Sequence, residues 1–574
     1  MKMLFRYLRP YYGVMALGLT IKIIGTLVEL VLPYVLSHIL DHVVPMGEVR
    51  LIVAWGGVMI LCAAMALVFN VIANRMASRV AKGGARGIRH DLFAATMRLS
   101  GRQTDAFTIP SLEARLTSDT YNLHHYIGMM QRLGVRAPIL LIGGIAITLS
   151  LDMHLTLVMI CVLPFIALSV FLISARGVPL YGRVQGAVDN MVRVVREDAQ
   201  GIRVILALSK VDYERKRYDH VNRELVKTEK RAAITMAATN PLINLFLNAG
   251  LVAVIVVGAF RVNGDLSEPG RIIAFIQYFT LLSNAMLSIT RIFVITSKAT
   301  ASAKRIDEVM KTPIEPQIYS KQSYPDRDTN AHIVFDHVNF SYTGRTNDLT
   351  DINFSLPHGA TLGIIGATGS GKSTLLSLLM RFYDVDSGAI YIDGQDTRTM
   401  EKGEINATLG VAMQNDFITN DTIAENIRFG RDISMEQVKR AARISQAAPF
   451  IEALEDGYEH MLTAKGTNLS GGQRQRLLIA RAIAGEPSLL LLDDSSSALD
   501  YQTDANLRTA IREELTGTTT VVVAQRVSSV QHADLILVLE GGCIIGAGRH
   551  EELLATCDVY REISESQMGG ALLE

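Results

Sequence analysis

Six apolar runs, each about as long as a bilayer is thick, constrain this chain more than any other feature. Crossing the hydrocarbon takes about 20 mostly apolar residues in a helix. Such runs fall near Val14–Leu36, Leu51–Asn74, Leu133–Leu151, Leu155–Ser174, Leu242–Arg261 and Ile272–Thr296. Lipid offers the backbone no hydrogen-bond partner, so each run must be helical. All six lie in roughly the first half of a 574-residue chain, and the rest has an ordinary α/β pattern. The length also exceeds what one soluble core accommodates. The expected organisation is an α-helical six-span transmembrane domain over residues 1–311, a polar linker with prolines over 312–330, and a second domain over 331–574.

The connections set the orientation. Asp152–His154 and Val262–Arg271 are short, Leu40–Arg50 is modest, and Arg75–Arg132 and Ala175–Pro241 are long, polar and helix-like. The first long connection carries Arg79, Lys82, Arg86 and Arg89, and the second Arg193, Arg196, Arg203 and Lys210. An excess of cations marks the cytoplasmic side, so both long connections and the N-terminus are expected there. The segment Met1–Tyr12, with Lys2, Arg6 and Arg9 among aromatics, reads as an interfacial lead-in to a retained first span. An even number of spans returns the second domain to the cytoplasm, in a multi-pass protein of the plasma membrane. Each long connection reads as two helices joined by a turn. Leu112–Asp119 and Leu206–Glu214 are mid-loop stretches where a membrane domain can press on a cytoplasmic one, although solvated helical faces account for them equally well.

Some polar residues interrupt the spans. Lys22 and Glu29 are seven apart, and Asn240, Asn244 and Asn248 recur every four residues. Gln277, Asn284, Ser288 and Arg291 follow a similar course in the sixth span. Lining of an aqueous path and interhelical bonding both fit these residues, and Lys22 with Glu29 also fits an internal ion pair. Charge excludes one class of partner. Lys and Arg total 56 against 56 Asp and Glu, so no net basic field points to nucleic acid. Cys62, Cys161, Cys543 and Cys557 have no zinc or CxxC spacing, which fits a reducing compartment.

The second domain carries the chemical motifs. Gly366-Ala367-Thr368-Gly369-Ser370-Gly371-Lys372-Ser373-Thr374 follows a strand at Thr361–Ile365 and precedes a helix at Thr374–Met380. That frame is what a phosphate-binding loop requires: glycines let N–H groups wrap phosphates, Lys372 reaches the β and γ oxygens, and Ser373 ligates Mg²⁺. Leu489–Asp493 reads as a buried parallel strand ending in a carboxylate placed to hold Mg²⁺ through water. Together these two elements point to a nucleotide bound with Mg²⁺.

Between them stands Leu469-Ser470-Gly471-Gly472-Gln473, and here the chain resembles the ATP-binding-cassette superfamily, whose signature is LSGGQ. The resemblance covers nearly the whole chain. It implies an exporter-type membrane fold followed by an α/β P-loop nucleotide-binding domain, and it assigns several roles. Tyr342 matches the aromatic that stacks on adenine, and Gln414 the glutamine linking Mg²⁺ and attacking water to the membrane domain. Ser497-Ala498-Leu499-Asp500 matches the loop that crosses to the partner subunit. In this family two nucleotide domains pair head to tail, each ATP lying between one chain's phosphate loop and the other's signature, so Ser470, Gly471, Gly472 and Gln473 are expected on a partner's ATP.

Two positions depart from the family pattern. Where active members carry Glu after the Mg²⁺ aspartate, this chain has Asp494, one methylene shorter. Misplacement by about 1 Å can cost on the order of 10²-fold. After Thr518–Val523, read as the last core strand, active members place a His against the γ-phosphate, and here Gln525 stands. Glutamine can hydrogen-bond but carries no titratable proton. The loop Met461–Asn468 also lacks the acidic residue common in multidrug homodimers. The expectation is a site that binds ATP and hydrolyses it slowly, in a heterodimer with a second half-transporter that supplies Glu and His. The resemblance implies export of amphipathic or hydrophobic compounds such as drugs, lipids or peptides. An importer built on the same fold (as in siderophore uptake), a channel or its regulatory subunit, and a competent homodimer would share these motifs.

Overall fold

A computed structural model describes residues 2–569 apart from Pro316, Asp328, Asn415, Asp416 and Ser496. The chain divides into two compact units, Met1–Met97 with Pro110–Thr312, and Arg98–Ile109 with Pro313–Glu574.

Among the described residues, the first unit contains six helical segments long and apolar enough to cross a membrane. They are built on α1 (Tyr12–His38), α2 (Val49–Thr96), α4 (Thr120–Leu151), α5 (Met153–Ala207), α6 (Val211–Ala237) continued by α7 (Thr239–Asn263), and α8 (Pro269–Lys311). Helix α1 packs along α2, and α8 along α4. Leu30, Tyr278, Phe279 and Leu282 form part of the bundle core. The buried Tyr278 hydroxyl donates to the Leu30 carbonyl at 2.6 Å, so no phenol is left unsatisfied there. The turn into α5 is held by Asp152, which accepts the His154 N–H at 2.9 Å and pairs with Arg261 at 2.9 Å.

Lys22 and Glu29 do not pair with each other. Lys22 is buried and donates to Asn70 at 2.7 Å and Asn74 at 3.2 Å on α2, whereas Glu29 pairs with Arg136 on α4. Each ion takes a partner from a neighbouring helix, because seven residues along one helix is too far for direct contact. Asn244, Asn248, Gln277, Asn284 and Arg291 are exposed on this chain and Ser288 is half-buried, while the side chain of Asn240 lies outside those described.

One sequence expectation is corrected in the first long connection. The break in helix falls before Leu112, at the short helix α3 (Gly101–Phe107), which belongs to the nucleotide unit. Ser100 caps α3 in a reciprocal capping box with Gln103, and Thr108 ends it in a positive-φ conformation. Asp105 accepts the Tyr383 hydroxyl at 3.0 Å, and the Gln103 side chain donates to the Pro313 carbonyl at 2.9 Å. Leu112 and Asp119 are instead buried in the membrane unit, where Asp119 accepts from Ser302 at 2.8 Å and pairs with Arg305. The second turn falls at 208–210, within the expected stretch, leaving Leu206, Leu208 and Tyr213 at least 60% exposed.

The second unit contains two sheets. Strands β2 (Leu349–Pro357), β1 (Ala331–Phe340), β4 (Ser387–Ile392) and β5 (Gln395–Asp396) form an antiparallel sheet in that order. The larger sheet has the order β10-β9-β3-β8-β7-β6, from β3 (Thr361–Gly366), β6 (Leu409–Ala412), β7 (Leu489–Asp493), β8 (Thr519–Val523), β9 (Leu535–Glu540) and β10 (Cys543–Gly548). Its members are parallel except for β10. Strand β8 is therefore not the last: β9 and β10 follow, and β9 covers the other edge of β3. Strand β7 is wholly buried, consistent with its unbroken Leu run, because a parallel sheet covered on both faces needs no alternation.

Candidate nucleotide site

The parallel sheet brings four chain segments to one end. The phosphate loop follows β3, Gln414 follows β6, Asp494 follows β7 and Gln525 follows β8. Ligands of open α/β sheets bind at this carboxyl edge. One cleft is lined by Thr368, Gly369, Gly371, Lys372, Ser373 and Thr374 of the loop together with Gln414, Asp493, Asp494 and Gln525.

The loop geometry depends on glycine at two places. A Cβ on Gly366 would lie 2.2 Å from the Leu539 carbonyl oxygen, and Gly371, at φ +100°, would meet Leu349 at 2.6 Å. Helix α9 (Lys372–Leu379) begins there, so its unpaired N–H groups and positive dipole end face the loop. The Lys372 ammonium donates to the carbonyls of Gly366 and Ala367 at 2.9 and 2.8 Å, folded back over the loop. Ser370 Oγ is buried without a hydrogen-bond partner among the described residues. A loop rich in N–H donors, with a lysine and an unspent hydroxyl, fits a polyphosphate. Ser373 donates to Asp493 at 3.2 Å, which sets two hard oxygen donors side by side, the kind Mg²⁺ takes.

Asp494 is held by amides. Gln525 Nε2 donates to its Oδ2 at 2.9 Å and Gln414 Nε2 to the same oxygen at 3.2 Å. Its backbone is left-handed, at φ +47°, a conformation that Asp tolerates better than most residues, and its N–H donates to the Val523 carbonyl at 2.9 Å. Burial raises the Asp494 carboxyl above its usual range, the Gln525 hydrogen bond opposing. Burial also raises Asp493 and lowers Lys372.

The remaining sequence candidates lie around this cleft or apart from it. Tyr342 is 42% exposed, its hydroxyl 3.4 Å from the Thr374 hydroxyl, and its ring meets Phe340 and Tyr383 edge-on. An aromatic surface thus adjoins the loop. Ser470 to Gln473 do not line the cleft. They open helix α10 (Gly471–Ile483), where Ser470 and Gln473 cap the N-terminus reciprocally. Gln475 fixes this helix to the following crossing loop, accepting the Ala498 N–H at 2.9 Å and donating to Ser497 at 3.1 Å. A Cβ on Gly472 would come within 3.1 Å of the Ala498 carbonyl oxygen. Asp500 caps helix α11 (Tyr501–Glu514), accepting the Thr503 N–H at 2.9 Å and its hydroxyl at 2.7 Å. The Asp-x-x-Thr spacing signals that cap in the sequence, whereas the partnership of Gln414 and Gln525 on one carboxylate depends on strand order and has no local signal.

Comparisons with known proteins agree with this architecture. Residues 15–286 match the ABC transporter transmembrane region and residues 349–497 the ABC transporter family. An uncharacterized ABC transporter ATP-binding protein of Mycobacterium tuberculosis is 33% identical over 567 residues, covering 98% of this chain and 97% of that protein. An uncharacterized ABC transporter ATP-binding protein of Bacillus subtilis is 32% identical over 565 residues, covering 98% of each. The fold is shared with the structure of a bacterial Atm1-family ABC exporter with ATP bound, at a TM-score of 0.80 and 24% identity over 97% of this chain and 98% of that one. With two full-length relatives above 30% identity and both halves matched, the chain belongs to the ABC transporters, as a fused membrane and ATP-binding half with the exporter-type fold.

Proposed function

We propose that this chain is the slow-site half of a heterodimeric exporter of amphipathic or hydrophobic compounds at the plasma membrane, its N-terminus and nucleotide domain facing the cytoplasm. The observation that carries the proposal is the single Asp494 oxygen that accepts both Gln414 and Gln525. A carboxylate already engaged by two amides, on a side chain one methylene short, is poorly placed to orient an attacking water. Gln525 donates into this pair and has no proton or charge to offer a γ-phosphate. The groups that would grip nucleotide are all present: the loop N–H groups, Lys372, Ser370, and Tyr342 as a platform for adenine. Mg²⁺, held by Ser373 and Asp493 with Gln414 beside them, would neutralise phosphate charge. The site therefore binds ATP and hydrolyses it slowly.

The exposed polar residues of α7 and α8 support a paired assembly. Asn244, Asn248, Gln277, Asn284 and Arg291 would be costly against lipid tails. They face a second half-transporter or the aqueous path between the halves, and that path suits a substrate with both polar and apolar parts. The signature at Ser470–Gln473 completes the partner's site, to which the partner brings Glu and His. Nucleotide-driven closure reaches the helices through α3 and through the exposed turn around Leu206–Tyr213, and the bundle passes from inward- to outward-facing. The slow site keeps its nucleotide across cycles and biases that equilibrium.

Purification from native membranes in mild detergent, with mass analysis of the intact assembly, tests the proposal. A second ABC half-transporter carrying Glu and His at the two altered positions is the expected companion. An assembly containing this chain alone would overturn it.

A further inference from the structure

We infer that His332, His358 and Asp393 form a binding site for a divalent transition-metal ion, of which zinc fits best, at one end of the antiparallel sheet. Nothing in the nucleotide chemistry uses these three residues. His332 lies on β1, and His358 and Asp393 lie in the turns directly after its neighbours β2 and β4, so the register brings the three together. Ile333 of β1 stands opposite Leu356 of β2 and Ile392 of β4. His332 therefore precedes that row, while His358 and Asp393 follow directly after β2 and β4 at the same end. The Asp393 N–H donates to the His332 carbonyl at 2.9 Å, which fixes the turn against the histidine. His332, on a paired strand, is held more rigidly than a loop ligand, while His358 and Asp393 sit on short turns that can adjust.

The side chains converge. The two imidazole rings stack with centroids 4.3 Å apart and planes 9° from parallel. His358 Nε2 lies 2.9 Å and His332 Nε2 3.8 Å from the same Asp393 oxygen. One donor atom from each residue falls within 4.8 Å of the other two. Donors around a tetrahedral zinc stand about 3.3 Å apart, given metal–ligand bonds of about 2.0–2.2 Å. Closing that gap requires the exposed His358 ring to turn out of the stack, so that its Nε2 lone pair and that of His332 point to one position, with Asp393 rotating to meet them.

His332 separates a metal site from a surface ion pair. It is fully buried, yet among the described residues its Nε2 finds no hydrogen-bond partner. Its other ring nitrogen, Nδ1, is 2.6 Å from the Thr519 hydroxyl, which also accepts the Gly359 N–H at 3.0 Å. An imidazole anchored through one nitrogen, with the other unspent and aimed at a carboxylate, has the orientation of a metal ligand. Pairing between His358 and Asp393 alone would leave that buried nitrogen without a partner. Two imidazoles and one carboxylate select zinc or its neighbours over Mg²⁺ or Ca²⁺. The solvent side, where His358 and Asp393 are exposed, leaves a fourth position to water.

The test uses the full chain in detergent, stripped of metal, freed of any affinity tag and without nucleotide, because phosphates chelate. Titration with Co²⁺ reads tetrahedral coordination from its visible absorption, and Zn²⁺ then displaces it. Wild type is expected to bind one equivalent that His358→Ala and Asp393→Ala each weaken by at least the roughly 10-fold that loss of even an outer-shell partner costs. Both substitutions are at exposed positions, and unchanged nucleotide binding would report an intact fold. Absence of the tetrahedral band, or equal uptake by wild type and both variants, would overturn the site.

Discussion

The phosphate cleft and the signature helix are two parts of ATP chemistry carried by one chain, and they differ in completeness. Around the cleft the gripping groups are present, but the two positions nearest the chemistry hold Asp494 and Gln525, bonded to each other at 2.9 Å. At the signature nothing is altered. Ser470 and Gln473 cap α10, and Gln475 fixes the crossing loop beside it. An intact signature beside an altered site is what the proposed division of labour requires, in which this chain would complete a partner's site and hold nucleotide in its own.

The largest expected effect comes from damaging the intact region. In the assembled pair, Gly472→Asp puts a carboxylate at a helix N-terminus meant for phosphate and crowds the Ala498 carbonyl. Steady-state ATP turnover should fall by about 10²–10³-fold, the scale of losing preorganised charge stabilisation. Asp494→Asn in the same complex should change turnover by less than about threefold if, as proposed, that site does little of the work. Equal losses from the two would break the comparison. Lys372→Ala sharpens it from the binding side. Loss of a charged hydrogen bond worth about 1.5–3 kcal/mol should weaken retention of labelled ATP by this chain roughly 10- to 150-fold. The smallest effect is expected at Asp500. Removing its cap with Asp500→Ala should cost about 1 kcal/mol of stability, read as a lower unfolding temperature, with ATP retention unchanged.

Much of this architecture is legible in the sequence, for definite physical reasons. The spans follow from the length of apolar runs, because hydrocarbon leaves the backbone no alternative to helix. The phosphate loop is a local sequence in a local frame, strand to turn to helix, and the Ser470–Gln473 cap is a four-residue pattern. Features set by distant pairing are not legible. Lys22 takes Asn70 and Asn74, and Glu29 takes Arg136, through helix packing that no spacing within α1 reveals. The short helix α3 and the stretch Leu112–Asp119 look alike in sequence, both polar and helix-like, and only burial of Asp119 against Ser302 and Arg305 separates them. Strands β9 and β10 lie beyond Gln525, where no chemical motif marks them. The convergence of His332, His358 and Asp393 follows from sheet register across about sixty residues of sequence, and the row of partners around Ile333 creates it.

The central claim, that this chain's own site turns over slowly because of Asp494 and Gln525, is tested most directly by ATPase turnover of the purified chain. Wild type should be measured beside Asp494→Glu/Gln525→His, each alone and with the partner half. The account predicts near-inert wild type alone, restoration by the partner, and a rise on the order of 10²-fold when both replacements are made. Turnover of about 1–10 s⁻¹ by the lone wild-type chain, an ordinary enzymatic rate, would contradict it and make Asp494 a working group in a homodimer.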